Sequence, residues 1–194
     1  MKTIIAVLLF LFSQQILMAQ DLTNFYTEHL NINQNGMLVL GAWAATNIVA
    51  GTTGYFLSQN AQVKNFHQFN ALWNTVNLAI AYFSYTSNIG IDPSSLTNSE
   101  ILKETNFLQN FLLLNAGLDA AYLMTGIYLK ERSKNSEKNS SRLSGYGNGL
   151  LVQGAFLLVF DLSLYFIHQN NERLNLYPVI DQFGTIGAGI GLRF

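Results

Sequence analysis

Two carboxylates and two carboxamides, Asp119, Asp161, Asn47 and Asn77, each stand deep inside a different apolar run of the chain. A carboxylate at the centre of a membrane helix costs about 2.5–3.5 kcal/mol on an insertion scale. No Lys or Arg lies within these four runs to offset that cost. At least one Asp is therefore expected to be neutral, donating a proton to Asn47, Asn77 or Gln153. Such groups can act as glue between helices, worth roughly 0.6–2 kcal/mol each. They can also form a site that binds a proton, a metal cation or a small polar solute. Catalysis fits less well. The chain has no Cys and no His-Glu-x-x-His spacing, and His67 and His168 fall near the ends of their runs, away from any mid-run Ser. An interfacial position suits these two histidines better than a haem-ligand role. No catalytic residue, metal ligand or cofactor is assigned, and the reading is non-enzymatic.

Positioning these groups requires helices. At three-four spacing, His67, Asn70, Asn74, Asn77, Ala81 and Ser84 form one stripe. Asn115, Asp119, Tyr122 and Gly126 share a face of the third run, and Gln153, Asp161 and His168 share one more loosely on the fourth. Polar stripes of this kind do not face lipid, so a polar bundle interior is expected from Asn47, His67, Asn70, Asn74, Asn77, Asn115, Asp119, Gln153 and Asp161. In the first run, Ala42, Thr46, Ala50 and Gly54 make a small-xxx-small ridge. Such a ridge lets a neighbouring backbone approach, and Gly126 is expected to do the same in the third run.

Composition puts the helices in a membrane. The chain is 49% hydrophobic and 11% charged, whereas soluble domains carry about a quarter charged residues. Between Asn35 and Thr86 the one charged residue is Lys64. Four spans are expected, at Gly36–Leu57, Phe66–Tyr85, Phe107–Leu129 and Gly149–His168. All are helical, because a lone strand cannot satisfy its backbone in lipid. Tyr55, Tyr85, Tyr128, Tyr146 and Tyr165 sit toward span ends as an interfacial belt, while Trp43 and Trp73 lie further in. The net charge of −1 excludes a general attraction to nucleic acid.

Residues 1–19 read as a cleaved signal peptide, with Lys2, the apolar run Ile4–Phe12 and Leu17-Met18-Ala19 before the cleavage point. An uncleaved anchor is the alternative, since Leu17 is not small. Residues 20–35 follow as an exported segment, either a short amphipathic helix on the membrane surface or an ordered tail. The membrane domain is 36–168, and 169–194 is an exported tail, extended or a loose hairpin from Leu174 onward. The loop after the third span carries Lys130, Arg132, Lys134, Lys138 and Arg142, against Lys103 alone in the loop before it. By the positive-inside rule both termini face outside, in the cytoplasmic membrane of a bacterium. Asp92-Pro93-Ser94-Ser95 marks a turn in the outer loop. Gly145-Tyr146-Gly147-Asn148-Gly149 lacks the ending of a phosphate-binding loop and reads as a flexible helix start.

An offset of 72 residues aligns Asn47 with Asp119 and Thr53-Gly54 with Thr125-Gly126, and one of 84 aligns Asn77-Leu78 with Asp161-Leu162. These echoes suggest a 2+2 helical-hairpin repeat about an axis along the membrane normal, two amides opposing two acids. The segments Gly36–Trp43 with Asn47, Phe66–Asn70 with Trp73, Asn74 and Asn77, Asn115–Asp119 with Tyr122, and Gly145–Gly147 with Gln153-Gly154 and Phe160-Asp161 resemble an uncharacterised family of small bacterial membrane proteins. The resemblance covers about residues 36–168; it implies a four-helix domain and no activity. The expectation is an all-α, four-transmembrane-helix bundle whose partner is the lipid bilayer, with a second copy or another membrane protein as further partners. Its polar interior serves structure or interaction, or alternatively a proton- or cation-linked solute carrier.

Overall fold

The computed structural model describes the backbone of residues 2–182 and the side chains of residues 22–172. The fold is all-α, with helices α1 (Lys2–Leu57), α2 (Ala61–Ile89), α3 (Asn98–Ser133) and α4 (Ser140–Gln182), and a 3-10 turn at Pro93–Ser95. Local chemistry sets the helix starts. The Asn60 side chain accepts hydrogen bonds from the backbone N–H groups of Gln62 and Val63, capping α2. Thr97 and Glu100 form a reciprocal capping box that opens α3. In the loop between, the Ser94 hydroxyl and backbone N–H both donate to Asp92, holding its carboxyl below the usual carboxylate range.

The helices form two hairpins, α1 on α2 and α3 on α4, and α4 also lies against α2 and α1. By contrast, α2 and α3 do not pack closely against each other. The buried residues of α2 are Asn70, Asn74, Asn77 and Ala81, so the stripe anticipated from spacing turns inward. On α3 the buried positions Ile101, Thr105, Gln109, Leu112, Ala116, Asp119, Gly126 and Ser133 recur at intervals of three, four or seven, a single helical face.

The outer surface inverts the pattern of a soluble bundle. Exposed large apolar residues, among them Leu38, Val49, Leu72, Phe83, Leu114 and Phe166, occur on all four helices. An apolar exterior around buried amides and acids is compatible with a lipid environment. Three segments, Leu22–Leu57, Asn98–Ser133 and Ser140–Glu172, are long and apolar enough to cross a membrane. The expected second span, Phe66–Tyr85, does not reach that mark within α2, because the inward stripe lowers its mean hydropathy.

The segment between 20 and 35 is neither a separate surface helix nor a tail. It continues α1, and Leu22, Phe25, Tyr26 and Leu30 bury their apolar face against Ile101, with Ile91 and Leu96 of the outer loop packed beside them. Its exposed positions, Asn24, Thr27, Glu28 and Asn31, are polar. A 36-residue helix rises about 54 Å, well beyond the roughly 30 Å of a hydrocarbon core, so this end of the bundle extends past the apolar belt. The expected extended C-terminal tail is corrected over 174–182, where α4 remains helical to Gln182; residues 183–194 lie outside the described residues. The side chains of residues 1–19 also lie outside them, and the backbone there is continuous with α1 from Lys2.

Of the small-residue ridge expected on α1, only its last member, Gly54, is seen at the contact with α2. Ala42, Thr46 and Ala50 are exposed. The contact with α2 is made at Gly54 and at Gly51 beside the ridge. A Cβ on Gly51 would stand 2.8 Å from the His67 carbonyl oxygen and 2.9 Å from the Ala71 nitrogen, and Gly54 lies under the His67 ring. Gly126 does pack as anticipated, its added Cβ falling 2.9 Å from the Gly147 carbonyl oxygen. Gly145–Gly149 is not a flexible start but belongs to α4. Gly145 meets the α2 backbone at Gln62 and Phe66, Gly149 meets Phe69, and Gly147 faces α3. A helix that touches two neighbours at once needs glycines on two sides.

Candidate functional site

Two polar layers occupy the interior, and their chemistry differs. The first is an amide network centred on Gln153, a fully buried residue of α4. Gln153 Oε1 accepts from Trp43 Nε1 at 3.0 Å, and Gln153 Nε2 donates to Asn70 Oδ1 at 2.5 Å and to Asn47 Oδ1 at 3.5 Å. One side chain thereby ties α4 to α1 and α2. The Asn70 and Asn47 amide nitrogens donate to the carbonyl oxygens of Phe66 and Trp43, each one turn back, at 2.9 Å. Asn74 donates to the Asn70 carbonyl at 2.8 Å, and Asn77 to Asn74 Oδ1 at 3.4 Å. Trp43 is held by stacking on Phe156, with centroids 3.9 Å apart and planes 4° from parallel. Each of these amides has a partner, as interhelical glue requires.

The second layer holds the acids. Asp119 and Asp161, both buried, line a cavity of about 260 Å³ together with Asn77, Asn115, Trp73 and Tyr122. Their carboxyl groups face each other within hydrogen-bonding reach. Two carboxylates can share a hydrogen bond only when one carries a proton, so the geometry asks for one proton on the pair. Apart from the facing acid, no donor among the described residues reaches Asp119 Oδ2, and the buried Trp73 Nε1–H has no acceptor among them. Leu157 and Phe160 of α4 and Leu40 of α1 wall the cavity, and Leu40 belongs to an apolar cluster with Met37, Ala81, Leu112 and Leu164.

The structure thus divides the residues expected to share one interior. Asn47, Asn70, Asn74 and Gln153 form the network; Asn77, Asn115, Asp119 and Asp161 line the cavity. His67 stands apart, half-buried beneath α1 and lining a surface recess with Asn148 and Leu151. Neither acid takes Asn47, Asn77 or Gln153 as its described hydrogen-bond partner; each faces the other acid instead. Of the two amides that the hairpin repeat set opposite the two acids, Asn77 lines the acid cavity, whereas Asn47 is drawn into the Gln153 network.

A third buried polar group corrects the interfacial position expected for His168, which is buried, and adds His29, which the sequence did not single out. His29 of α1 and His168 of α4 lie ring against ring, with centroids 4.3 Å apart, and Tyr26 stacks on His29 at 5.5 Å. His29 Nδ1 and both His168 ring nitrogens are buried without a hydrogen-bond partner among the described residues. Below them Gln109 Nε2 donates to Glu172 Oε2 at 2.9 Å. The signal was present as the spacing Tyr26, His29, Asn33 on one face of α1, hidden because that segment looked external. Among the described residues, no group of three or more His, Asp or Glu is placed to hold a metal ion.

A family model described as "Family of unknown function (DUF6992)" matches residues 39–162. No curated protein and no solved structure matches the chain.

Proposed function

We propose a role for this chain from the premise that it belongs to that family of unknown function, whose matched residues contain both the amide network and the acid pair. The chain is an integral membrane protein in which the Gln153 network fixes helix register and the Asp119–Asp161 pair is a proton-holding site for a small solute. In this reading α2 is the fourth span. Leu72, Val76, Ile80 and Phe83 cover its outward side, and its low mean hydropathy comes from amides that lipid never meets. Lys2 and the run Ile4–Phe12 support a signal peptide over residues 1–19. Lys64, Lys130, Arg132, Lys134, Lys138 and Arg142 gather at the end opposite Glu28, Asp92, Glu100 and Glu104. That polarity supports a bacterial cytoplasmic membrane with the basic end inside.

One observation carries the functional reading. The two buried acids, Asp119 and Asp161, line one cavity with their carboxyl groups facing each other, and no Lys or Arg lines it to balance two negative charges. The test is infrared difference spectroscopy on the full chain in liposomes, with proton release followed by a pH dye. A protonated-carboxyl band that shifts in deuterium oxide is expected in the parent, and its loss in Asp119→Asn or Asp161→Asn with unfolding midpoint little changed. Two carboxylates titrating as they do in water would overturn the reading.

A further inference from the structure

We infer that residues 22–35 form an acid-released strap, latched to α4 by the contact of His29 with His168 and freed, about a hinge at Gly36, when the two rings take up protons. The strap lies at the end of the bundle beyond the apolar belt, and the latch needs no proton on Asp119 or Asp161.

The latch follows from where the rings stand. His29 of α1 is 4% exposed and His168 of α4 is 1% exposed, with centroids 4.3 Å apart. Two neutral imidazoles pack in this way, with Phe25 and Tyr26 against His29. Two imidazolium ions do not, because like charges this close repel and burial removes the water that would screen them. No described acid is set to neutralise them. Glu172, one turn beyond His168, is engaged by Gln109 of α3 at 2.9 Å and would lose that bond by turning to the ring. Glu104 of α3 acts on the Tyr26 hydroxyl. Glu28 of the strap, Asp92 of the outer loop, and Glu100 and Lys103 of α3 are exposed. Tyr85, the titratable group of α2 at this end, packs on the apolar cluster of Met37 and Leu164. Among the described residues the one ion pair joins Lys134 and Glu131, at the opposite end.

Apart from the rings, one small apolar cluster holds the strap. Leu22, Phe25, Tyr26 and Leu30 pack on Ile101, with Ile91 and Leu96 beside them. Asn171 Nδ2 adds a long hydrogen bond to the Phe25 carbonyl oxygen, at 3.4 Å. The outward residues Asn24, Thr27, Glu28 and Asn31 are polar, so release would leave that side in the water it already meets. Gly36 follows the strap, and an interior glycine is, proline aside, the residue at which a helix parts most readily. Its close neighbour across the bundle is the Leu164 side chain. A released strap puts both rings in water, where imidazole takes up a proton below about pH 6.5. The latched form has room for neither charge. Latching is therefore complete above that pH and weakens as pH falls, by about tenfold per ring for each pH unit.

The test is amide hydrogen exchange of the full-length protein in nanodiscs at pH 7.5 and pH 5.0, with rates corrected for the pH dependence of exchange itself. Ordinary carboxylates stay largely ionised across this range. Protection over residues 22–35 is expected to fall by about thirtyfold for each ring, while protection over residues 140–153, at the other end of the bundle, holds. The double variant His29→Phe with His168→Phe keeps two rings and removes both proton sites. It should remain latched at pH 5.0, and either single variant should lose about thirtyfold of the response. Unchanged protection of the parent strap at pH 5.0 overturns the latch, as does a double variant that is protected at pH 7.5 and still opens at pH 5.0. Should the double variant be unprotected even at pH 7.5, exchange of the histidine C2 hydrogens in the parent decides. Ring titration and strap opening share one midpoint if the rings are the latch, and rings that titrate beneath a protected strap overturn it.

Discussion

Asp119 and Gln153 show two uses of a buried polar side chain on facing helices. Gln153 has partners for both ends of its amide, on Trp43, Asn70 and Asn47. Gln153→Leu should leave the Trp43 N–H without its acceptor, costing about 1–2 kcal/mol of stability, seen as an earlier unfolding midpoint in detergent. Asp161→Asn, by contrast, keeps a hydrogen-bonding group opposite Asp119 and removes one ionisable site. Its unfolding midpoint should lie within about 1 kcal/mol of the parent, while the number of protons released on titration to high pH falls by one. A fall of several kcal/mol would make the acid pair a structural element. The amides and acids themselves were legible in the sequence, because such residue types in apolar runs stand out. Their partners were not, since Gln153 lies 106 residues from Asn47 and 83 from Asn70, and no spacing rule within one helix reaches that far.

Helix contacts in this bundle are decided by backbone proximity at glycine. Gly51→Ala puts a methyl group against two backbone atoms of α2 that cannot move aside as side chains do. It should destabilise the α1–α2 hairpin by about 1–3 kcal/mol. Gly117→Ala meets nothing within 4 Å on the exposed side of α3 and should stabilise by up to about 1 kcal/mol through helix propensity alone. Opposite signs from the same chemical change, measured as unfolding midpoints in one detergent, test the assignment of faces. Beyond the apolar belt, Phe25 is 0% exposed in a core of ordinary type. Phe25→Ala should cost about 3–5 kcal/mol, with faster hydrogen exchange over residues 22–34. The small-xxx-small ridge pointed to the correct helix, but Gly54 alone of it lies against α2, while Ala42, Thr46 and Ala50 are exposed. Small residues occur on both sides of α1, and only the position of α2 tells which of them a backbone crosses.

For the molecule as a whole, the apolar exterior and the charge polarity predict how it sits. The absence of native cysteines makes single-cysteine labelling clean. Glu28→Cys should react with a membrane-impermeant maleimide in intact cells and Lys138→Cys only after lysis; the reverse result would invert the proposed orientation. Composition and 3.6-residue periodicity by themselves determined the all-α class, the lipid-compatible exterior, the approximate helices and the inward face of α2. These are properties of single segments, set by each residue's preference for water or hydrocarbon and by helical repeat. Tertiary structure alone decided that Leu22–Asn33 continues α1 as a packed segment, that His29 meets His168, and that the interior divides into an amide network and an acid-lined cavity. It also decided that α2 and α3 stay apart. Each of these depends on which helices stand side by side and at what height, and that is settled by close packing at glycine contacts between residues far apart in the chain.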